Sequence, residues 1–156
     1  MLKLKSVAID TLKENVAYLH RDCPLYRTEG FQALMKIEIY IKGNGSPVIA
    51  VLNIVDDRTI VDINELGLCT QAFKQLGKEQ GIKVRIAPAK PPVSLKAVHK
   101  KIAGEHLNEK EYHLICQDIL ENRYSKMEIA AFLVSCSHNG LEREEIFSLT
   151  KAMVDT

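Results

Sequence analysis

The chain has 156 residues, 46% of them hydrophobic, which is enough apolar material for one ordinary domain or two small ones and argues against wholesale disorder. Lys and Arg number 21 against 20 Asp and Glu, and the basic residues are scattered, so a net charge of +1 gives no footing for nucleic acid or an anionic membrane as partner. The longest apolar stretch, Ile129 to Val134, is far too short to span a bilayer, and the opening MLKLKSVAID lacks the apolar run of a secretory signal, so a soluble cytoplasmic protein is expected.

Up to about residue 90 the chain reads as strands with one short helix. From Ala33 to Lys42, Met35, Ile37, Ile39 and Ile41 alternate with Lys36, Glu38, Tyr40 and Lys42, the period-two pattern of a half-buried strand. Gly43-Asn44-Gly45-Ser46 is a turn cluster, and Pro47 to Val55, apolar on both faces, fits a central strand that completes a hairpin. After the polar turn Asp56-Asp57-Arg58, the run TIVDINELGL predicts a short strand and a further turn. Thr70 to Leu76 predicts a two-turn helix with Gly77 as its C-cap glycine, and Ile82 to Ala87 alternates as a strand again. Short strands with Gly-rich turns around one small helix suggest a small barrel. Three prolines between Pro88 and Pro92 break helix and ladder alike and mark a semi-rigid linker.

Beyond the linker only helices are expected. Ser94 can cap a helix running through Lys101, and Asn108 with Glu111, Ser125 with Glu128, and Asn139 with Glu142 each have the capping-box spacing. The helix from Glu109 to Leu120 sets Tyr112, Ile115, Cys116 and Ile119 on one stripe. The helix from Lys126 to Ser137 is apolar nearly all round, which predicts packing on most sides, its residues Ile129 to Val134 serving as core with part of them open to a dimer seam. A last helix from Leu141 to about Val154 is expected to bury Ile146, Phe147, Thr150, Met153 and Val154. It runs into Met153-Val154-Asp155-Thr156 with no Gly or Pro stop, the pattern of an architecture cut short. The expected class is therefore α+β, with a barrel-like domain over 1–90 and a helical domain over 94–156.

Candidate chemistry is sparse. Cys23, Cys69, Cys116 and Cys136 form no C-x-x-C pair and no standard zinc spacing, which points to reduced, mostly buried thiols. His20-Arg21-Asp22-Cys23 has the look of an activated thiol, but no further residue completes a triad, and a structured loop in which Arg21 or Asp22 pins the barrel to the helices fits better. Gly43-Asn44-Gly45 reads as a hairpin turn before a phosphate loop. His99, His106 and His113 recur every seven residues, yet Gly104 falls between them, so surface or capping roles are expected before a metal site. Lys96, Lys100 and Lys101 form a basic face expected to be solvated.

Three stretches resemble a known family. Glu14-Asn15-Val16-Ala17-Tyr18-Leu19-His20-Arg21-Asp22-Cys23, followed by Glu29-Gly30-Phe31, resembles the N-terminal extension of bacterial thymidine-phosphorylase-like proteins. Glu65-Leu66-Gly67-Leu68 through Val84-Arg85-Ile86 to Pro91-Pro92 and Ser94-Leu95 is similar to the N-terminal domain these share with archaeal AMP phosphorylases. Tyr124-Ser125-Lys126-Met127-Glu128-Ile129-Ala130-Ala131-Phe132-Leu133, with Leu149-Thr150-Lys151-Ala152-Met153-Val154-Asp155, resembles the small helical domain of the pyrimidine-nucleoside phosphorylases.

The resemblance implies phosphorolysis of a thymidine-like nucleoside or nucleotide, with inorganic phosphate as co-substrate and no resident cofactor. It also implies homo-oligomerisation through the helical domain, and contact with the remainder of a phosphorylase chain. In the family a Lys-His-Ser segment, a Gly-rich phosphate loop and a large α/β domain carry the chemistry, and no position here matches them. No catalytic, cofactor-binding or metal residue is therefore assigned, and the chain alone is expected to be an inactive scaffold. A rival reading takes the barrel as a double-psi-like adaptor that binds peptides or another subunit.

Overall fold

The computed structural model describes residues 1–12, 14–28, 30–41, 46–77 and 79–156, and it divides into two compact units, Met1–Ala89 and Lys90–Thr156. The expected Gly43-Asn44-Gly45 turn, Lys42 at the end of its strand, and Glu29 lie outside the described residues. Among those residues no helix is long and apolar enough to cross a membrane.

The first unit is a closed six-stranded barrel made of β1 (Leu2–Val7), β2 (Val16–His20), β3 (Lys36–Ile41), β4 (Val48–Val55), β5 (Glu65–Cys69) and β6 (Lys83–Pro88), in the order β1-β5-β2-β4-β3-β6. Two short helices, α1 (Pro24–Thr28) and α2 (Thr70–Leu76), follow β2 and β5. Closure leaves no free sheet edge, so every strand has a partner on both sides. Alternation fills the interior: Leu2 and Leu4, Ile37 and Ile39, and Val84 and Ile86 point inward from β1, β3 and β6. The β3–β4 hairpin is antiparallel, pairing Ile37 with Ala50 and Ile39 with Val48. β4 is central, flanked by β3 and a parallel β2, as its two apolar faces require.

The barrel repeats itself. Exchanging β1, β2 and β3 for β4, β5 and β6 preserves the set of strand pairs: parallel β1–β5 becomes β4–β2, and antiparallel β1–β6 becomes β4–β3. The exchange turns β2–β5 and β3–β6 into themselves, about the Tyr18–Gly67 and Ile39–Ile86 pairs. The helices obey it too, α1 after β2 matching α2 after β5.

Some expectations for this unit need correction. The strand sought in TIVDINELGL is its last part only: 59–64 form turns, and β5 begins at Glu65. Val61 is nonetheless fully buried, an apolar plug that the turn carries into the core. The expected alternation in β3 is broken by Glu38, which is buried although it lies between the two inward isoleucines. α2 ends as expected, with Gly77 in the left-handed region at φ 61° and its N–H bonded to the Lys74 carbonyl.

The second unit consists of α3 (Leu95–Ile102), α4 (Glu109–Leu120), α5 (Lys126–Asn139) and α6 (Arg143–Asp155). Tyr112, Ile115, Phe132 and Ala152 meet in its core, the Tyr112 and Phe132 rings 6.4 Å apart and tilted by 58°. The fold is thus α+β, a barrel followed by helices.

Candidate interaction surface

The helix starts explain how a unit this small holds together. Asn108 and Ser125 accept from the backbone N–H of Glu111 and Glu128, and both glutamates reach back, completing two capping boxes. The third box is not at Asn139 and Glu142. Asn139 is the last residue of α5, its amide donating to the Lys101 carbonyl, and the box closes one turn later between Glu142 and Glu145. Ser94 stands at the start of α3 but makes no side-chain cap. Its N–H and hydroxyl both donate to Asp118 Oδ2, at 3.0 and 2.7 Å, and its hydroxyl meets the Tyr124 hydroxyl at 2.8 Å. A carboxylate from α4 thus stands in for the missing cap.

Glu145 is the hub of the unit. Lys101 Nζ donates to both of its oxygens, at 2.9 and 3.0 Å, the Leu107 N–H at 3.0 Å, the Tyr112 hydroxyl at 2.8 Å and the Glu142 N–H at 3.1 Å, while His106 Nδ1 lies 3.2 Å away. Only 1% of the Lys101 side chain and 4% of Glu145 reach solvent. Burial pushes the Glu145 carboxyl up, but the Leu107 N–H, the Lys101 ammonium and the other donors outweigh it and hold the group well below the usual carboxylate range. Burial and the bond to Glu145 push the Tyr112 hydroxyl far up. Lys101 is therefore no part of a solvated basic face. Of the three lysines only Lys96 is exposed, and Lys100 pairs with Glu111 at 2.7 Å.

The apolar faces come out differently from the sequence expectation. On α5 only Phe132 and Ser135 are buried, while Met127, Leu133 and Val134 are exposed. On α6 the buried residues are Glu145 and Ala152, and Ile146, Phe147, Thr150, Met153 and Val154, all expected inside, lie outside. Phe147 is 67% and Val154 79% exposed. A groove of about 290 Å³ runs between α4, α5 and α6, lined by Cys116, Ile119, Leu120, Leu133 and Met153 among others. Leu120, Leu133 and Met153 are thus both exposed and part of the groove wall, while Ile146, Phe147 and Val154 are exposed elsewhere on α6.

The remaining candidates make local contacts. Arg21 pairs with Asp56 and Arg27 with Asp22, both within the barrel unit. All four cysteines are free, Cys23 and Cys69 buried, and burial pushes the Cys116 and Cys136 thiols up, away from the thiolate. His99 and His106 are exposed, and the latter sits beside Glu142 and Glu145. No cluster of three or more metal-ligating side chains occurs among the described residues.

The helical unit has the architecture described as the glycosyl transferase family, helical bundle domain, whose family model matches residues 95–156. Along nearly its whole length the chain is similar to proteins assigned by name as thymidine phosphorylases. The one from Methylococcus capsulatus is 55% identical over 99% of this chain and 30% of its own length. That from Albidiferax ferrireducens is 50% identical over 98% and 29%, and that from Bradyrhizobium diazoefficiens 39% over 97% and 29%. Among solved structures, the computationally designed msDPBB_sym2 protein aligns with a TM-score of 0.46 at 20% identity, over 56% of this chain and 95% of that one. The chain resembles the proteins named as thymidine phosphorylases along nearly all of its own length, and it spans about 30% of the length of the curated relatives it matches.

Proposed function

We propose that this chain is the N-terminal scaffold of a nucleoside phosphorylase, a cytoplasmic enzyme of pyrimidine metabolism that cleaves thymidine-like nucleosides or nucleotides. Identity of 55% across 99% of the chain to a protein named for that activity carries the reading. In the reaction a phosphate oxygen bonds to the anomeric carbon as the C–N glycosidic bond breaks. The base departs with the bonding pair and takes up a proton, leaving pentose 1-phosphate. Such chemistry needs an anion cradle and a polar clamp on the departing base. We assign both to sequence outside these residues, and no catalytic, cofactor or metal role to any residue here.

The part of this chain is mechanical. The exposed faces of α5 and α6 and the groove beside them are the surface we assign to contact with the rest of the phosphorylase and with a second copy. Phosphate-dependent base release from thymidine, uridine and AMP tests the reading, on this chain and on the product of the whole reading frame that contains it. The longer product is expected to be active and the 156-residue chain inactive. Turnover by the short chain would overturn the scaffold role. Inactivity of both would sink the phosphorylase reading and leave the barrel as an adaptor.

A further inference from the structure

His20 closes β2 and is 2% exposed. Its Nδ1 accepts the Asp22 backbone N–H at 3.0 Å. A nitrogen that accepts carries no proton, so the ring in this arrangement is neutral, with its proton on Nε2. That Nε2 is buried and meets no hydrogen-bond partner among the described residues. A buried donor without an acceptor is unfavourable and rare in native folds. The barrel's internal repeat supplies a comparison, because its strand exchange places Cys69 of β5 where β2 has His20. Cys69 is satisfied there: its Sγ accepts the Val16 N–H at 3.3 Å and donates to the Glu14 carbonyl at 3.5 Å. An imidazole is thus no packing requirement of the position.

We propose that His20 is a protonation-operated latch on the turn between β2 and α1: the neutral ring holds the Asp22 amide, and a proton on Nδ1 releases it. An imidazolium donates from both nitrogens, so the Asp22 N–H would face another N–H and lose its acceptor. An acceptor within reach is the Asp22 carboxylate, 3.9 Å from Nδ1 and now held by Arg27 at 2.9 Å. Protonation therefore exchanges a backbone bond for a side-chain one and turns the segment. The other charged groups facing the ring are Asp56 and Asp57, which follow β4. Asp56 is held low first by Arg21 and Asp57 first by Thr59. The Cys23 N–H bonds to the His20 carbonyl and the Tyr26 N–H to the Cys23 carbonyl, so a rotated turn carries the entry of α1 with it and uncovers the buried Cys23 thiol.

Amide exchange of Asp22, corrected for intrinsic rates, tests the latch on the 156-residue chain at pH 8 and pH 5. Protection is expected to fall by about tenfold at the lower pH, the worth of one net hydrogen bond, with faster alkylation of Cys23. His20→Asn, whose Oδ1 can accept in place of Nδ1 but does not titrate, should hold protection at both values. Unchanged Asp22 protection in the wild-type chain, or the same fall in His20→Asn, would overturn the proposal. Should that variant not fold, imidazole ¹⁵N shifts on the wild-type chain decide. They must place the proton on Nε2 at pH 8 and change with the same midpoint as Asp22 exchange, and a proton on Nδ1 at pH 8 sinks the idea.

Discussion

Glu145→Gln is expected to destabilise the helical unit by about 3–5 kcal/mol, the range for breaking one side of a buried ion pair. The amide keeps the shape but removes the charge opposite Lys101, leaving a 1%-exposed ammonium without its counter-ion. It also turns one acceptor oxygen into a donor, facing the Leu107 N–H and Tyr112 hydroxyl or the Glu142 N–H. The loss thus reaches the loop before α4, the α4 stripe and the start of α6 together. Exchange of α4 and α6 amides across a urea series reads the effect, and a loss below about 1 kcal/mol would show the network to be dispensable. Replacing Lys101 and Glu145 together by Met and Leu should cost less than Glu145→Gln alone, since no charge is then stranded. Acid tells the same story from the other side. The folded carboxyl lies below its ordinary value of 4.5, so Glu145 adds its stability in full above that pH. The contribution drains away as pH falls below 4.5 toward the folded value, and Glu145→Gln should flatten that acid limb.

The hub also shows where reading the chain by pattern stops. The α4 stripe was legible because periodicity and burial there follow the same rule, and so were the two capping boxes, which are local. Glu145 lies in the first turn of α6, followed directly by the exposed apolar residues Ile146 and Phe147. Its partner Lys101 is 44 residues away in the chain, and neither residue type signals burial by itself. Taking the apolar side chains of α6 as its core face chose the wrong side of the helix, because a buried salt bridge occupies the right one. β1 and β2 carry weaker signals as individual strands, although Leu2-Lys3-Leu4-Lys5 alternates plainly. Barrel closure joins β1 to β5 and β2 to β4 in parallel, and such distant pairings leave no turn signal between partners. The wholly buried β2, with every residue of Val16–His20 inside, has no alternation to find.

Gly67 is closely surrounded within that barrel, and Gly67→Ala is expected to cost it about 1–3 kcal/mol. It faces Tyr18 across β2–β5, at one of the two pairs the internal exchange leaves in place, with Lys5 of β1 on its other side. A Cβ there would stand 2.5 Å from Val61 Cγ1, 2.7 Å from Val7 Cγ2 and 3.2 Å from Tyr18 Cβ. None of these can swing clear easily: Val61 is fully buried, Val7 closes β1, and β-branched side chains are stiff at χ1. The glycine is therefore a matter of space, and Val61, carried in from the turn before β5, fills the room it leaves. If that is the cause, Val61→Ala opens a cavity on its own but relieves the clash, and the two changes together should cost less than the sum of their separate effects by about 1 kcal/mol or more. Urea denaturation of the four chains in such a cycle measures the coupling. Additive costs would mean that the alanine acts independently of Val61, through Val7, the strand backbone or Tyr18.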